Sequence, residues 1–252
     1  MKAMIISILL SLGLLFSAAS SAESFRIAAA SDLRFALEDI LALYREKQPD
    51  HRPEVVYGSS GRMTTQIANG APYDIFFSAD IQFPKRLQEL GETATEPAVY
   101  ALGRIVLWST QHDASALELQ DLTDPDIRRI AIAQPAHAPY GMRAREALEA
   151  AGVWEAVQSK LVFGENIAHA AQMAESGAAD IGIIALSLAL FPSMNEYPWH
   201  LIDDSLHEPL TQGYVVTRHG RNNTAAQDFA TFMQSPEARK IMQTYGFELP
   251  ED

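Results

Sequence analysis

The feature that most constrains the fold of this chain is a repeated alternation of short apolar runs with amphipathic stretches. The first apolar run, residues 25–30, is followed by a stretch from 32 to 48. That stretch places five apolar side chains at the spacing of one helical face: Leu33, Leu37, Ile40, Leu41 and Tyr44. Strands separated by helices of this length favour parallel sheets with helices on both faces, so the sequence predicts an α/β fold.

The same alternation continues along the chain. It predicts further strands at 54–57, 73–78, 130–133, 161–163 and 181–185. It predicts helices at 62–69, 83–90, 141–151, 168–176, 224–233 and 236–245. The rhythm is lost after the apolar run 99–108, and we expect the chain to cross between two lobes within residues 104–123 and to return near 213–217. The predicted lobes are residues 23–104 plus 218–252, and residues 105–217, each with a parallel or mixed sheet.

The first 22 residues have the composition of a secretory signal peptide. Lys2 precedes an apolar run from 4 to 16, and small residues follow up to the first acid, Glu23. An apolar run of this length is too short for a bilayer core, which needs about 20 residues. We expect cleavage after Ala22 and a soluble periplasmic product.

Composition limits the partners and the sources of stability. The chain has no cysteine, so it has no disulfide and no acylated cysteine to serve as a membrane anchor. Its formal net charge is −13, which makes nucleic acid and anionic membranes poor partners. Nothing in the sequence indicates an oligomer, and we expect a monomer.

Small and hydroxyl residues occupy four turns where a predicted strand gives way to a helix. Ser31 ends the first turn, Ser59 and Ser60 lie in the second, Tyr140 in the third and Ile167 in the fourth. Ligands of open parallel sheets bind beyond the carboxyl ends of strands, where helix starts also offer free N–H groups to an anion. Taken on position alone, the serines are more often helix caps or turn residues than ligands.

Enzyme and metal motifs are missing. The sequence contains no G-x-S-x-G, P-loop, H-E-x-x-H or G-x-G-x-x-G pattern. Its seven histidines are scattered, and Asp74 and Asp80, which flank one apolar run, are expected to cap turns. The sequence therefore predicts no catalytic residue, no cofactor and no metal-cation site.

Four stretches together resemble the periplasmic molybdate-binding proteins of ABC transporters. They are AAASDL at 28–33, GSSGRMTTQIANGAPYDIFFSAD at 58–80, GMRAREAL at 141–148 and FMQSPEARKIMQTYGFELP at 232–250. The resemblance covers residues 25–249. It implies two α/β lobes of the type II periplasmic-binding-protein fold, joined by a hinge that closes on the ligand. It also implies a membrane permease as partner.

The resemblance also assigns roles to individual residues. Ser31 and Ser60 match the serines that hold oxyanion oxygens through hydroxyl and backbone N–H groups. Tyr140 and Ile167 match positions that use backbone amides, and some members also have a tyrosine at the first of these. Asp32 and Ser59 are further candidates beside them. Ala185 departs from the pattern, because other members supply a tyrosine hydroxyl there.

The resemblance implies a binding protein for molybdate or tungstate. The departure at Ala185 leaves two readings open: either Tyr140 supplies the missing hydroxyl, or the ligand is another small anion such as sulfate, phosphate or an organic acid. An exported enzyme on the same two-lobe fold is a further alternative, since a fold does not fix a function.

Overall fold

The computed structural model describes residues 23–250, so the predicted signal peptide and its cleavage point lie outside the described residues. The strands, in chain order, are β1 (Glu23–Ala30), β2 (His51–Gly58), β3 (Ile75–Ser78), β4 (Ala98–Gly103), β5 (Ile105–Trp108), β6 (Ile130–Ala133), β7 (Leu161–Gly164), β8 (Ile181–Ala185), β9 (Trp199–Leu201) and β10 (Leu210–Val216). They form two five-stranded sheets, ordered β2-β1-β3-β10-β4 and β7-β6-β8-β5-β9.

Nine α-helices flank the sheets in the described part of the chain. They are α1 (Arg34–Lys47), α2 (Ser60–Ala68), α3 (Gln82–Glu89), α4 (Pro139–Ala150), α5 (Trp154–Val157), α6 (Ile167–Glu175), α7 (Leu186–Ala189), α8 (Thr224–Phe232) and α9 (Pro236–Thr244). Among residues 23–250, we find no helix with the length and apolar character needed to cross a bilayer.

Both sheets are mixed. In the first, β1 pairs in parallel with β2 and β3, while β10 runs antiparallel to β3 and β4. In the second, β6 pairs in parallel with β7 and β8, while β5 runs antiparallel to β8 and β9. The predicted α/β class with a parallel or mixed sheet in each lobe is confirmed.

The chain crosses between the sheets at two places, and one of them differs from the sequence prediction. The apolar run 99–108 is two strands, interrupted at Arg104, with β4 in the first sheet and β5 in the second. The predicted second lobe, 105–217, is wrong at its end, because Leu210–Val216 pairs within the first sheet. A buried apolar strand has the same pattern in either sheet, so periodicity could not assign it.

Aromatic side chains fill the core of the first lobe. Phe229 of α8 is fully buried, and its ring lies 5.0–6.2 Å, centroid to centroid, from those of Phe25, Tyr44 and Phe77. These residues come from β1, α1 and β3, so one side chain joins four elements. Because deleting such a ring leaves a cavity as well as losing burial, Phe229 should be a large contributor to stability.

The strand register brings the predicted site turns to one edge of each sheet. Ala30 at the end of β1 lies opposite Gly58 at the end of β2, and Ala133 of β6 lies opposite Gly164 of β7. In each lobe, two neighbouring parallel strands therefore end together, and each is followed by a helical turn that begins at that edge.

We predict that Phe229→Ala lowers the free energy of unfolding by about 3–5 kcal/mol, because it empties a packed aromatic cluster. Urea denaturation followed by circular dichroism measures this change. Phe163→Ala is the matched control, since the Phe163 side chain is 45% exposed and its loss should change the free energy by less than about 1 kcal/mol. Equal effects of the two substitutions would contradict this account of the core.

Candidate functional site

A small cavity of about 180 Å³ lies between the two lobes. Its wall is formed by Ala30, Ser31, Asp32, Gly58, Ser59, Ser60, Ala79, Ala138, Pro139, Tyr140 and Ile167. Only about 10 Å³ of this space can hold the centre of a water-sized sphere, which is room for roughly one ordered water. The closed site therefore takes only a very small ligand. A nucleotide or a sugar would not fit.

The structure brings together six of the seven residues that the sequence singled out. Ser31, Asp32, Ser59 and Ser60 reach the cavity from the first lobe, and Tyr140 and Ile167 from the second. Ala185 does not line the cavity. Ala185 is the last residue of β8, where it is fully buried and pairs with Ile105 of β5.

Helix starts converge on this cavity. Ser60 and Ile167 are the first residues of α2 and α6, Tyr140 is the second residue of α4, and Ser31 begins a short 3-10 turn. The first N–H groups of a helix have no acceptor within the helix and carry the positive end of its dipole. Of the described residues, the eleven that line the cavity include no Lys or Arg. The positive potential therefore comes from peptide and hydroxyl groups.

The Ser60 hydroxyl is oriented by a backbone contact. Its Oγ accepts a hydrogen bond from the Ala79 N–H at 3.0 Å, and the side chain is fully buried. A hydroxyl that accepts in this way keeps its own proton for a second partner. Ser60 can therefore donate to an oxygen atom placed in the cavity.

The Ser31 hydroxyl joins the two lobes. Its Oγ donates to Asn166 Oδ1 at 3.1 Å and accepts from the Ala168 N–H at 3.2 Å. Asn166 also caps α6, because the same Oδ1 accepts from the His169 N–H. Ser31 thus contacts the start of α6 directly, next to Ile167.

The Tyr140 hydroxyl is used within a buried network. It donates to Asp32 Oδ2 at 3.0 Å and accepts from Gln212 Nε2, which itself donates to the same carboxylate oxygen at 2.7 Å. Because a phenol has one proton to donate, the Tyr140 hydroxyl is committed to Asp32 in this structure and does not supply the hydroxyl that the family resemblance implied at position 185. Burial raises the pKa of the Tyr140 phenol well above its usual value, and the adjacent Asp32 carboxylate raises it further.

Asp32 is the only ionisable carboxyl group on the described cavity wall. Burial raises its pKa to about 6, although the hydrogen bonds from Gln212 and Tyr140 oppose the shift. An ionised carboxylate only accepts hydrogen bonds, so Asp32 is not a donor to an anion at neutral pH. Asp32 therefore acts as a hydrogen-bond acceptor in the site, whereas the serines can act as donors.

Several contacts hold the lobes together around the cavity. The Gly61 N–H donates to the His137 carbonyl oxygen at 3.0 Å, and Ser59 Oγ lies 2.9 Å from His137 Nδ1. Burial and the nearby Arg62 lower the pKa of His137, which favours a neutral ring at this contact. The described chain is thus closed over the cavity.

Three arginines near the cavity are engaged by carboxylates. Arg62 pairs with Glu165 across the lobes, Arg34 pairs with Glu38, and Arg143 pairs with Asp80 and Glu146. Asp80 Oδ1 also accepts from the Gln82 N–H, in agreement with its expected capping role. The ion pairs of Arg62 and Arg143 join the two lobes, and Asp80 stabilises the start of α3. On the described cavity wall, Asp32 is the one residue with an acidic or basic side chain of this kind.

A larger, open cavity of about 1290 Å³ is lined by residues between Arg104 and Leu206. Its wall carries Glu118, Asp203 and Asp204 against a single arginine, Arg104. Acidic walls repel anions, and the two 3-10 helices that begin there are capped by the acidic residues Glu118 and Asp203. Among residues 23–250, no group of three or more His, Asp or Glu side chains is arranged to hold a metal ion. The small cavity between the lobes is therefore the better candidate site.

Sequence reasoning missed three residues of the site region. Gln212 lies on β10, which the sequence placed in the wrong lobe, and an isolated glutamine in an apolar strand carries no further signal. His137 is one of seven scattered histidines, and nothing in the sequence distinguishes it from the others. Gly61 lies inside the GSSG stretch, but only the structure reveals that its Cα faces the backbone of the other lobe.

The fold and the site define a class: a two-lobe binding protein that encloses a small solute between its α/β lobes. Residues 25–248 match the family model described as "Bacterial extracellular solute-binding protein", and the chain belongs to that family. The chain is 34% identical to the molybdate-binding protein of Azotobacter vinelandii over 240 residues, which are 94% of each chain. It is also 34% identical to that of Rhodobacter capsulatus over 221 residues, 87% of this chain and 86% of the relative.

A solved structure supports the same assignment. The periplasmic molybdate-binding protein of Azotobacter vinelandii superimposes with a TM-score of 0.84 at 30% sequence identity, covering 90% of this chain and all of the other. The resemblance that the four sequence stretches indicated is confirmed.

We predict that Gly61→Ala weakens closure without unfolding the protein. A Cβ at this position would lie 2.8 Å from the His137 carbonyl oxygen, so the facing backbone segments must move apart. Within the helix, replacing Gly by Ala is favourable by up to about 1 kcal/mol. Small-angle X-ray scattering should show a larger radius of gyration, while the melting temperature stays equal or rises. Gln66→Ala, on the exposed side of α2, is the control. An unchanged radius in Gly61→Ala would contradict this role.

Proposed function

We propose that this chain binds molybdate or tungstate in the cavity between its lobes and delivers the anion to the membrane permease of an ABC importer. The observation that carries the proposal is the convergence of helix starts and serine hydroxyls on a cavity without Lys or Arg in its wall. The names of the relatives at 34% identity favour molybdate among the small anions.

Neutral donors suit an anion that must be both captured and released. A dianion that enters the cavity loses its hydration, and fixed N–H and O–H dipoles replace it without forming an ion pair. Each hydrogen bond to a charged group contributes about 1.5–3 kcal/mol. In this proposal, Ser60 uses its hydroxyl and backbone groups, and Tyr140 and Ile167 use backbone N–H groups. Ser31 uses its backbone N–H, and its hydroxyl proton must turn from Asn166 Oδ1 to reach the anion. Ser59 contributes by holding the lobes together through its contact with His137.

Selection among tetrahedral anions would follow from size. Molybdate and tungstate have longer bonds from the central atom to oxygen than sulfate or phosphate, and donors fixed on helices and packed turns discriminate by fit. Sulfate stays an alternative ligand on the same donor set, and an organic acid is a weaker one because the cavity is small.

The proposal also covers the location and partners of the protein. We propose that it is exported by its N-terminal segment to the periplasm, works as a monomer, carries no resident cofactor and has no nucleic-acid partner. Its net charge of −13 slows the approach of an anion, so capture depends on the local field of the helix starts. We propose a binding function rather than an enzymatic one.

Hydrogen phosphate is a second candidate, and one observation favours it. A protonated anion needs an acceptor in its site, and Asp32 on the cavity wall has one carboxylate oxygen, Oδ1, without a hydrogen-bond partner in the described part of the chain. Sulfate, molybdate and tungstate carry no such proton at neutral pH. A direct comparison of the four anions therefore separates the candidates.

We predict that isothermal titration calorimetry of the mature protein detects tight binding of molybdate and tungstate and much weaker binding of sulfate and phosphate. The physical reason is the fit of the larger anions to fixed donors. Tight binding of phosphate alone would favour the second candidate, and failure of both metal oxyanions to bind would contradict the proposed function.

We predict that Ser60→Ala weakens molybdate binding by about 1–3 kcal/mol, because a donor to a buried charged acceptor is lost. Titration calorimetry at constant pH gives the difference. Ser78→Ala is a matched control: Ser78 is also fully buried and its Oγ also accepts a backbone N–H, that of Asp80, but it does not line the cavity. If both variants bind like the wild type, Ser60 is not part of the site.

A further inference from the structure

The carboxyl group of Asp32 is placed in an unusual environment for a site that accepts anions. Its side chain is 1% exposed and lines the cavity. Oδ2 accepts two hydrogen bonds, from Tyr140 and Gln212, whereas Oδ1 is buried without a well-formed hydrogen bond among the described residues. The backbone N–H groups of Asp32 and Leu33 lower the pKa of the carboxyl group, but burial outweighs them. A buried, ionised oxygen without a partner is costly, and protonation of that oxygen removes the cost.

The groups in contact with Asp32 come from both lobes and are neutral. Gln212 of β10 belongs to the first lobe, and its Oε1 accepts from the Tyr100 hydroxyl. Tyr140 and Ser187 belong to the second lobe, and the Ser187 hydroxyl donates to the Asp32 backbone oxygen at 2.8 Å. Burial raises the pKa of Tyr100 well above its usual value, so this phenol stays uncharged.

The charged groups on the surrounding elements are already paired or exposed. On α4, Arg143 contacts Asp80 and Glu146. On α6, which packs against the turn of Asp32, His169 is exposed and its Nδ1 accepts from a backbone N–H. On α1, Arg34 pairs with Glu38 at the surface. No positive group among the described residues forms an ion pair with the Asp32 carboxylate.

We propose that Asp32 takes up a proton on Oδ1 when the lobes close on the anion, so that anion binding is coupled to proton uptake. The proton comes from solvent, and no other bond changes. The negative charge of the dianion and the carboxylate together falls by one. This proposal rests on the proposed function, because it requires a dianion in the cavity.

Closure and the anion act on Asp32 in the same direction. Tyr140 and Ser187 cover Asp32 from the second lobe, so opening the lobes lets water reach the carboxylate. Opening also removes the Tyr140 hydrogen bond, which lowers the pKa, but burial is the larger effect, so closure raises the pKa of Asp32 on balance. A dianion in the cavity repels a neighbouring carboxylate and disfavours its ionised form further. The closed, liganded state therefore holds the proton more strongly than the open state.

The sign of the pH dependence follows from this difference. The pKa of Asp32 in the closed chain is about 6, against an ordinary value of 3.8. Protonation thus favours the closed state, and this advantage is fully present below about pH 4 and is lost as the pH rises through about 6. Because the anion raises the pKa further, these values set lower bounds: between pH 5 and pH 7 the affinity should fall at least about tenfold, and binding at pH 6 should take up at least about half a proton.

The experiment is titration calorimetry of the full mature chain with micromolar molybdate, from pH 5 to pH 8. At pH 6, two buffers with different ionisation enthalpies count the protons taken up. We expect Asp32→Asn, a neutral isostere, to abolish the Asp32-dependent uptake and the pH slope, and to bind at pH 7 at least as tightly as the wild type at pH 5. Comparison with this variant also subtracts any proton exchange of the anion itself.

Controls separate Asp32 from other groups. Asp50→Asn removes the same charge at an exposed position outside the cavity wall and should keep the wild-type slope. His137→Gln removes a cleft group whose pKa is lowered; closure would make that group release a proton, so uptake should not decrease. Tyr140→Phe removes a hydrogen bond that lowers the Asp32 pKa, and should move the pH window upwards.

Two results would overturn the proposal: wild-type binding without proton uptake at pH 6, or the same uptake in Asp32→Asn. The first measurement needs no variant, so it decides even if a substitution prevents folding. If neither molybdate nor tungstate binds at any pH, the proposed function itself fails, and this proposal fails with it. Binding without Asp32-dependent uptake contradicts this proposal alone.

Discussion

The constraint on which this structure depends is the meeting of helix starts from two separate sheets in one small space. Parallel strands with matched ends place β1 beside β2 and β6 beside β7, and the turns that follow all begin at the facing edges. Each turn supplies N–H groups that its own helix cannot use. A cavity of about 180 Å³ built in this way offers many donors without a full positive charge. The fold and the chemistry of the site are therefore one feature.

Much of this arrangement could be predicted from the sequence, because strand and helix periods are local properties. The strands Ile130–Ala133 and Ile181–Ala185 have the predicted bounds, and Ser31, Ser60, Tyr140 and Ile167 share the cavity. The assignment of β10 failed, since an apolar strand carries no label of the sheet that it joins. Gln212 was missed for the same reason, although it contacts both Asp32 and Tyr140.

The orientation of side-chain protons was also beyond sequence reasoning. A tyrosine at position 140 was a candidate donor to the ligand, but its hydroxyl donates to Asp32 instead. This contact joins the lobes through a carboxylate whose pKa is raised by burial. The one carboxyl group on the described cavity wall, that of Asp32, thus takes part in the contacts between the lobes. Its protonation and the position of the lobes therefore depend on each other.

The hinge between β4 and β5 has a consequence for selectivity. Arg104 alone separates the two strands, and its Nη2 donates to the Ile202 carbonyl oxygen beside the second connection. Next to it, Gly103 has no room for a Cβ, which would lie 2.3 Å from the Tyr140 hydroxyl oxygen. In the closed chain, this one-residue connection and its close packing hold the two halves of the cavity at a fixed spacing. The size of ion that the donors fit therefore depends on the packing of this connection as well as on the cavity wall.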